Sequence, residues 1–140
     1  MTVIKLEMLV KAKTVSIYEK ALRRLKWMSD WTGLPAPDLL AEAMRDALAE
    51  CKTQAGLDRI LAWHEKYKDA KDSTGSRASA VVDWNDAEIE MLKAFRTEKG
   101  FTEISFVSYA AIKYVKEWGP RMVEIRVSNT AMPPPPPDIE

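Results

Sequence analysis

The stretch covering residues 14–50 constrains the fold more than any other part of the chain. Its first four residues, Thr-Val-Ser-Ile, alternate between polar and apolar side chains, which is typical of a half-buried β-strand. Apolar residues at helical spacing follow from about residue 19 and stop at Gly33, a residue type that commonly closes a helix in the left-handed conformation. A second helical pattern starts near Pro37, a residue that suits a first helical turn. The stretch therefore predicts a strand and two helices joined by a tight turn.

Three further helices are predicted in the rest of the chain. Apolar stripes indicate helices over about 57–69 and 86–98, and a last helix that begins near Thr102 and stops at Gly119-Pro120. Asn85 or the residue after it can cap the second of these helices, and Gly100 can end it.

The segments between and after these helices complete the predicted fold. Residues 70–80 are small and polar and predict a flexible loop or a domain boundary, whereas residues 121–127 alternate and predict a short strand or extended arm. Residues 129–140 contain a run of prolines that cannot pack as helix or sheet, so we expect a disordered tail. The expected fold is mostly α, with about five helices in a compact bundle, a short N-terminal strand and a short C-terminal extended segment.

Composition excludes several classes of protein. Lysine plus arginine and aspartate plus glutamate both number 21, so no global field draws the molecule to nucleic acid or to anionic lipid. Cys51 is the single cysteine and cannot form an internal disulfide. The sequence shows neither a charged-then-apolar leader nor a long uncharged apolar run. We therefore expect a cytoplasmic protein without a membrane partner.

Local charge is less even than the total. Between residues 5 and 26 seven cations stand against two anions, whereas between residues 30 and 50 five anions stand against Arg45. This asymmetry indicates a basic face directed toward one partner, or alternatively two solvated helix faces.

Few residues in the sequence favour catalysis. His64 is the only histidine, and it lies on an apolar helical stripe without a second metal ligand four residues away. Cys51 also lies on an apolar stripe, where a thiol behaves as a small hydrophobic side chain. The sequence has no glycine-rich phosphate loop, nucleophile elbow or carboxylate constellation. We expect no enzyme activity, no catalytic residue, no cofactor and no metal.

The segment over residues 11–50 resembles the ribbon–helix–helix family of DNA-binding repressors and antitoxins. The resemblance is carried by the strand Thr14-Val15-Ser16-Ile17, the helix Glu19 to Trp31, the turn Gly33-Leu34, and the stripe Leu39-Leu40, Ala43-Met44 and Ala47-Leu48. In that family two copies pair their strands antiparallel, and the two-stranded ribbon lies in the DNA major groove. The resemblance implies a homodimer that binds DNA as a transcription regulator.

The resemblance also implies which residues contact DNA. By alternation Val15 and Ile17 point inward, while Ala12, Thr14 and Ser16 point outward. The base contacts implied in this way are Thr14 and Ser16. The phosphate contacts, which position a protein without reading sequence, are Lys11, Lys13, Arg23 and Arg24.

The chain departs from the family at two places. The family usually begins its second helix with serine or threonine, where backbone N–H groups bind phosphate, but this chain has Pro35-Ala36-Pro37. The family's strand commonly presents arginine or lysine to the bases, whereas Ala12 occupies that position here.

Tryptophan suggests a second kind of surface. Trp27 and Trp31 lie four residues apart on the first helix, close to but not wholly on its apolar face. Tryptophan is enriched where proteins bind one another, so these two residues form a predicted partner surface, with a tryptophan-rich core as the alternative.

These observations predict three regions and two candidate functions. Residues 1–52 form a ribbon–helix–helix-like dimerisation and DNA-binding region, residues 53–128 form a helical region that packs on it or binds a second protein, and residues 129–140 form the tail. The leading hypothesis is a dimeric DNA-binding regulator that reads DNA with a paired N-terminal ribbon. The alternative is a small helical protein-interaction module, such as an inhibitor or assembly factor, without DNA binding or catalysis.

Overall fold

The computed structural model describes residues 11–68 and 76–126, with side chains described up to residue 118. Its elements, in chain order, are β1 (Lys11–Tyr18), α1 (Glu19–Thr32), α2 (Ala36–Glu50), α3 (Gln54–Tyr67), β2 (Arg77–Trp84), α4 (Asp86–Lys99) and α5 (Glu103–Arg126). The predicted mostly helical fold with an early strand is confirmed over this part of the chain, which contains five helices. The predicted disordered tail at 129–140 lies outside the described residues.

The two strands form one antiparallel ribbon. β1 pairs with β2 so that Thr14 lies opposite Val81 and Val15 opposite Ala80. From the sequence we expected β1 to pair with a strand of a second copy. In the structure, its partner strand belongs to the same chain. The loop predicted over 70–80 was wrong from residue 77 onward, because β2 begins there. The pairing also joins the two predicted regions, since β1 belongs to residues 1–52 and β2 to residues 53–128.

The order of elements is repeated. A strand followed by two helices occurs twice, as β1-α1-α2 and as β2-α4-α5, with α3 inserted between the two units. The helices α1 and α4 each have 14 residues. Gly33 ends α1 with φ 74° and Gly100 ends α4 with φ 83°, both in the left-handed conformation that glycine adopts without steric cost. Two residues are called equivalent below when they lie equally far along the sequence from Gly33 and from Gly100, as the first residues of α1 and α4 do.

The repeat organises the core. Along β1 the inward side chains Val15 and Ile17 are buried, which confirms the predicted alternation, and along β2 Val82 and Trp84 are fully buried. Each strand also packs against the last helix of the other unit, β1 against α5 and β2 against α2. The indole N–H of Trp84 donates to the backbone oxygen of Ala41 at 3.2 Å, which ties β2 to α2. The single core is therefore built from both units.

The helix α3 has no separate counterpart among the described residues of the second unit, which end at Arg126. It packs against α5, which presents the buried side chains Tyr109 and Ile112 in this region. The equivalent positions of α2 hold Glu42 and Arg45, which form an ion pair and are partly or largely exposed. Burying an apolar helix face against another helix is favourable, whereas burying a charged face is not. This difference explains why α3 packs against α5.

The predicted extended segment over 121–127 was wrong as far as residue 126, and residue 127 lies outside the described residues. The helix α5 continues through Gly119 and Pro120 to Arg126. A proline removes its own backbone N–H and so deprives the helix of one hydrogen bond. The many buried side chains between Ile104 and Val115 stabilise the helix before this point, and the backbone remains helical beyond it.

Candidate nucleic-acid interface

The outward face of the ribbon is the candidate interface. It consists of six short side chains from the two strands, Ala12, Thr14, Ser16, Ser79, Val81 and Asp83. Thr14 and Ser79 are exposed, Ser16 is half-buried, and Val81 is 45% exposed even though it is apolar. The predicted base-contact residues Thr14 and Ser16 therefore lie together on this face.

Half of this face was not predicted from the sequence. Ser79, Val81 and Asp83 belong to β2, a strand that the sequence analysis does not predict. A usable signal was present, because Ala80, Val82 and Trp84 alternate with polar or exposed residues up to the start of α4. The signal is weak because the strand contains alanines and a serine, which are not typical strand formers.

Side chains of α5 cover part of the outer edge of β1. The backbone N–H of Ser16 donates to Glu103 Oε2 at 3.2 Å, and the backbone N–H of Tyr18 donates to Ser108 Oγ at 2.9 Å. An uncovered strand edge can pair with another chain, whereas an edge whose donors are satisfied cannot do so without losing those bonds. In this half of β1, both edges of the strand therefore form hydrogen bonds within the same chain.

The predicted phosphate contacts at the start of β1 are held together by one carboxylate. Lys13 Nζ lies 2.5 Å from Asp86 Oδ1, and Lys11 Nζ lies 3.5 Å from Asp86 Oδ2. The hydrogen bond from Lys13 and the positive charge of both lysines lower the pKa of Asp86 below its usual value. A phosphate that binds these lysines must compete with this carboxylate, at a partly exposed site where ion pairs are weak.

The predicted arginine contacts lie on α1. Arg23 is exposed and lies 4.0 Å from Glu19, one helical turn earlier, while Arg24 is half-buried. No ion pair in the described part of the chain links Arg23 to the carboxylate that holds the two lysines. The structure therefore brings Lys11 and Lys13 together but not the lysines with Arg23.

Acidic groups lie beside one end of the ribbon. Burial and a hydrogen bond with the Asp38 carboxyl raise the pKa of Asp83. These two residues line a cavity of about 280 Å³ together with Glu42 and Arg45. Arg45 Nη2 donates to the backbone oxygen of Asp83 at 3.3 Å, and Arg45 Nε lies 2.8 Å from Glu88. Because Asp38 lies in the first turn of α2, it places negative charge where a helix N-terminus would otherwise attract phosphate.

The predicted partner surface is only partly accessible. Trp27 and Trp31 are both half-buried, and Trp27 packs against the core. The Trp27 indole nitrogen is buried and has no hydrogen-bond partner among the described residues. Trp27 therefore contributes to packing, and the role of both residues in binding a partner stays a prediction.

His64 and Cys51 are buried, as the sequence indicated. His64 Nδ1 lies 2.7 Å from Ser105 Oγ, which also accepts a hydrogen bond from the Thr102 hydroxyl at 3.0 Å. Ser105 is 1% exposed, so a substrate has no access to this pair. Burial raises the pKa of the Cys51 thiol to about 11, which keeps it protonated and unreactive at neutral pH.

A polar cluster joins the end of α2 to α3 and α5. The Tyr109 hydroxyl donates to Glu50 Oε2 at 2.6 Å, Arg59 lies 3.8 Å from the same oxygen, and Lys113 contacts the other carboxylate oxygen. A cavity of about 380 Å³ opens between α3 and α5 beside this cluster, with Trp63 in its wall. The mutual pairing of these groups indicates a cluster that holds three helices together.

The described residues contain no group of three or more histidine, cysteine or acidic side chains that could hold a metal ion. Among them there is also no helix with the length and apolar character needed to span a bilayer. No protein-family model, curated protein or solved structure matches the chain. The geometry of the ribbon is therefore the basis for proposing a function.

Proposed function

We propose that this protein is a DNA-binding regulator that inserts its β1–β2 ribbon into the major groove, as a ribbon–helix–helix fold made by one chain. The observation that carries the proposal is the repeated strand–helix–helix order together with the antiparallel register of the two strands. Thr14 and Val81, which are equivalent positions of the two units, stand opposite each other at the centre of the ribbon. The pairing of the strands, together with the packing of β1 on α5 and of β2 on α2, supports this comparison with the two copies of a family dimer.

The outward face of the ribbon can contact the edges of DNA bases in the major groove. A two-stranded ribbon fits the major groove, and short side chains let its backbone approach the bases closely. The hydroxyls of Thr14, Ser16 and Ser79 can donate or accept hydrogen bonds. Val81 offers an apolar surface to the methyl group of thymine.

On this proposal, the protein binds the phosphates of DNA with moderate affinity. Lys11 and Lys13 can exchange Asp86 for a phosphate at little cost, because the ion pairs are partly exposed. Arg23 is the exposed cation on α1 that the resemblance assigns to phosphate, and its partner Glu19 lies at the limit of an ion pair. The balanced total charge implies weak nonspecific binding that weakens further with salt.

A second copy is not needed to build the ribbon. Any homodimer would therefore use another surface, and the half-buried Trp27 and Trp31 remain the candidates. As a regulator of transcription the protein would act in the cytoplasm.

A gel mobility shift with duplex DNA at low and moderate salt tests the proposal. We expect a Thr14→Ala/Ser79→Ala variant to lose sequence preference, and Arg23→Ala to weaken binding to all sequences by a similar factor. Thr97→Ala on α4, which removes an exposed hydroxyl away from the ribbon, is the matched control and should bind like the wild type. The absence of any shift at low salt, for a protein shown to be folded by circular dichroism, would remove the DNA hypothesis.

The second candidate is a protein-interaction module without DNA binding. It is favoured by the acidic pair of Asp38 and Asp83, because negative charge beside the ribbon repels phosphate. The apolar side chain of Val81, exposed on the same face, also suits a protein partner. If the mobility shift fails, a cross-linker placed at position 81 should capture such a partner, and the same cross-linker at position 97 should not.

A further inference from the structure

The two ends of the ribbon differ in chemistry. Ser16 lies opposite Ser79, so one end presents two hydroxyls. Ala12 lies opposite Asp83, so the other end presents a methyl group and a carboxylate. The centre is also unequal, because Thr14 lies opposite Val81.

A symmetric dimer cannot have such a face. When two identical strands pair about a two-fold axis, each outward position occurs twice and the two ends of the ribbon are the same. A palindromic DNA site mirrors that symmetry. In this chain all three pairs of equivalent positions on the outward face differ, namely Ala12 and Ser79, Thr14 and Val81, and Ser16 and Asp83.

The acidic end has a definite base preference. A carboxylate accepts a hydrogen bond from the N4 amino group of cytosine, and it repels the acceptor oxygen and nitrogen of guanine in the major groove. The hydroxyl end discriminates less, because serine can pair with several bases. Asp83 lies on the outward face but is only partly exposed, and its carboxyl forms a hydrogen bond with the Asp38 carboxyl that a cytosine amino group would have to replace.

We infer that the ribbon reads a non-palindromic DNA site, with a cytosine contacted by Asp83 at one end and a more tolerant position contacted by Ser16 and Ser79 at the other. This inference rests on the proposed DNA-binding function. It adds that one chain recognises one site in one orientation, so the two strands of the DNA are distinguished.

Selection of bound duplexes from a random library tests the inference. The wild-type protein should enrich a non-palindromic sequence and bind it with one chain per duplex, as measured by light scattering of the complex. A variant with Ala12→Ser, Val81→Thr and Asp83→Ser has two identical ends and two threonines at its centre. Its selected sequence should be palindromic at the contacted positions.

Asp83→Ser alone provides a second test if the triple variant does not fold. It should lower the preference for cytosine at one end by roughly 10-fold and leave the other end of the selected sequence unchanged. Thr97→Ala is again the control and should select the wild-type sequence. A palindromic sequence selected by the wild-type protein overturns the inference while leaving the proposed function in place, whereas a library without any enriched sequence removes both.

Discussion

The two strand–helix–helix units have the same order but are stabilised differently. In the first unit α1 buries Ala21, Leu25, Met28 and Thr32, yet no side chain caps its N-terminus. In the second unit α4 buries only Leu92. Its N-terminus, however, has a complete capping box, in which Glu88 N–H donates to Asn85 Oδ1 at 2.8 Å and Asn85 N–H donates to Glu88 Oε1 at 3.1 Å.

Equivalent helices of the two units are therefore stabilised in two different ways. The helix α1 depends on tertiary packing, which normally supplies most of the stability of a short helix. The helix α4 has little packing and depends more on local hydrogen bonds at its ends. Substitutions at equivalent positions can separate these two contributions, and they are taken below from the largest expected effect on stability to the smallest.

The first prediction concerns the same residue type at equivalent positions. Leu25 and Leu92 are equivalent and are 1% and 3% exposed. We expect Leu25→Ala to lower the free energy of unfolding by about 4 kcal/mol and Leu92→Ala by about 2 kcal/mol, because a cavity under the sparsely packed α4 can collapse more easily. Urea denaturation measures both values. Equal losses would show that the two helices are packed equally well.

The second prediction concerns the two glycines that end α1 and α4. Gly33→Ala and Gly100→Ala should each cost about 1–2 kcal/mol, because alanine is strained at positive φ. At Gly100 an added Cβ would meet no atom within 4 Å, so the loss there measures backbone strain alone. Gly100→Asn is the control and should cost less, since asparagine tolerates the left-handed conformation. A negligible loss for Gly100→Ala would contradict the conformation of this turn.

The third prediction concerns the cap of α4. Asn85→Ala should cost about 1 kcal/mol, because it leaves the first-turn N–H of Glu88 without its side-chain acceptor. Hydrogen exchange should speed up at the first turn of α4 but not at that of α1. Asn85→Asp should restore most of the stability, since aspartate caps a helix equally well. Faster exchange throughout both helices would mean that the cap supports the whole fold.

The fourth prediction concerns Cys51 and Trp118, which occupy equivalent positions of the two units. Trp118 is 39% exposed whereas Cys51 is buried, with a thiol pKa raised from 9.0 to about 11. Because the folded pKa is the higher one, the stability that the protonated thiol contributes is complete below pH 9 and is lost as pH rises toward 11. At pH 8 the folded protein should react with iodoacetamide about 100-fold or more slowly than the urea-unfolded chain, as the smaller thiolate fraction implies.

The outcome of the fourth experiment is read by mass spectrometry of the alkylated protein. Oxidation of Trp118 by N-bromosuccinimide provides the matched measurement at the equivalent position, and it should proceed in the folded protein. Rapid alkylation of Cys51 without denaturant would show that the end of α2 opens in solution.

Much of the local structure could be predicted from the sequence. Gly33, Asn85 and Gly100 mark helix ends because each acts through its own backbone conformation or a hydrogen bond three residues away. The inward direction of Val15 and Ile17 follows from alternation within a single strand. The predicted end of α5 at Gly119-Pro120 was wrong, because a glycine and a proline are local signals that the continuous helix overrides.

The candidate site could be predicted only in half. Thr14 and Ser16 were recognisable because the strand and helices around them resemble a known family. Ser79 and Asp83 were not, because their strand contains small residues and it pairs with β1 from a distant part of the chain. The two units also share few residues beyond the equivalent pairs Val15 and Val82, Leu25 and Leu92, Lys26 and Lys93, Gly33 and Gly100, Ala43 and Ala110, and Glu50 and Glu117.

The sequence by itself determined where most of the helices lie, where most of them begin and end, and which side of β1 is apolar. These properties depend on dihedral angles and hydrogen bonds among residues within about one turn of one another. Only the tertiary structure decided that β1 pairs with β2 of its own chain and that six side chains form one face. That choice depends on a distant strand and on the apolar surface which α2 and α5 bury against the two strands, neither of which is encoded in any short segment.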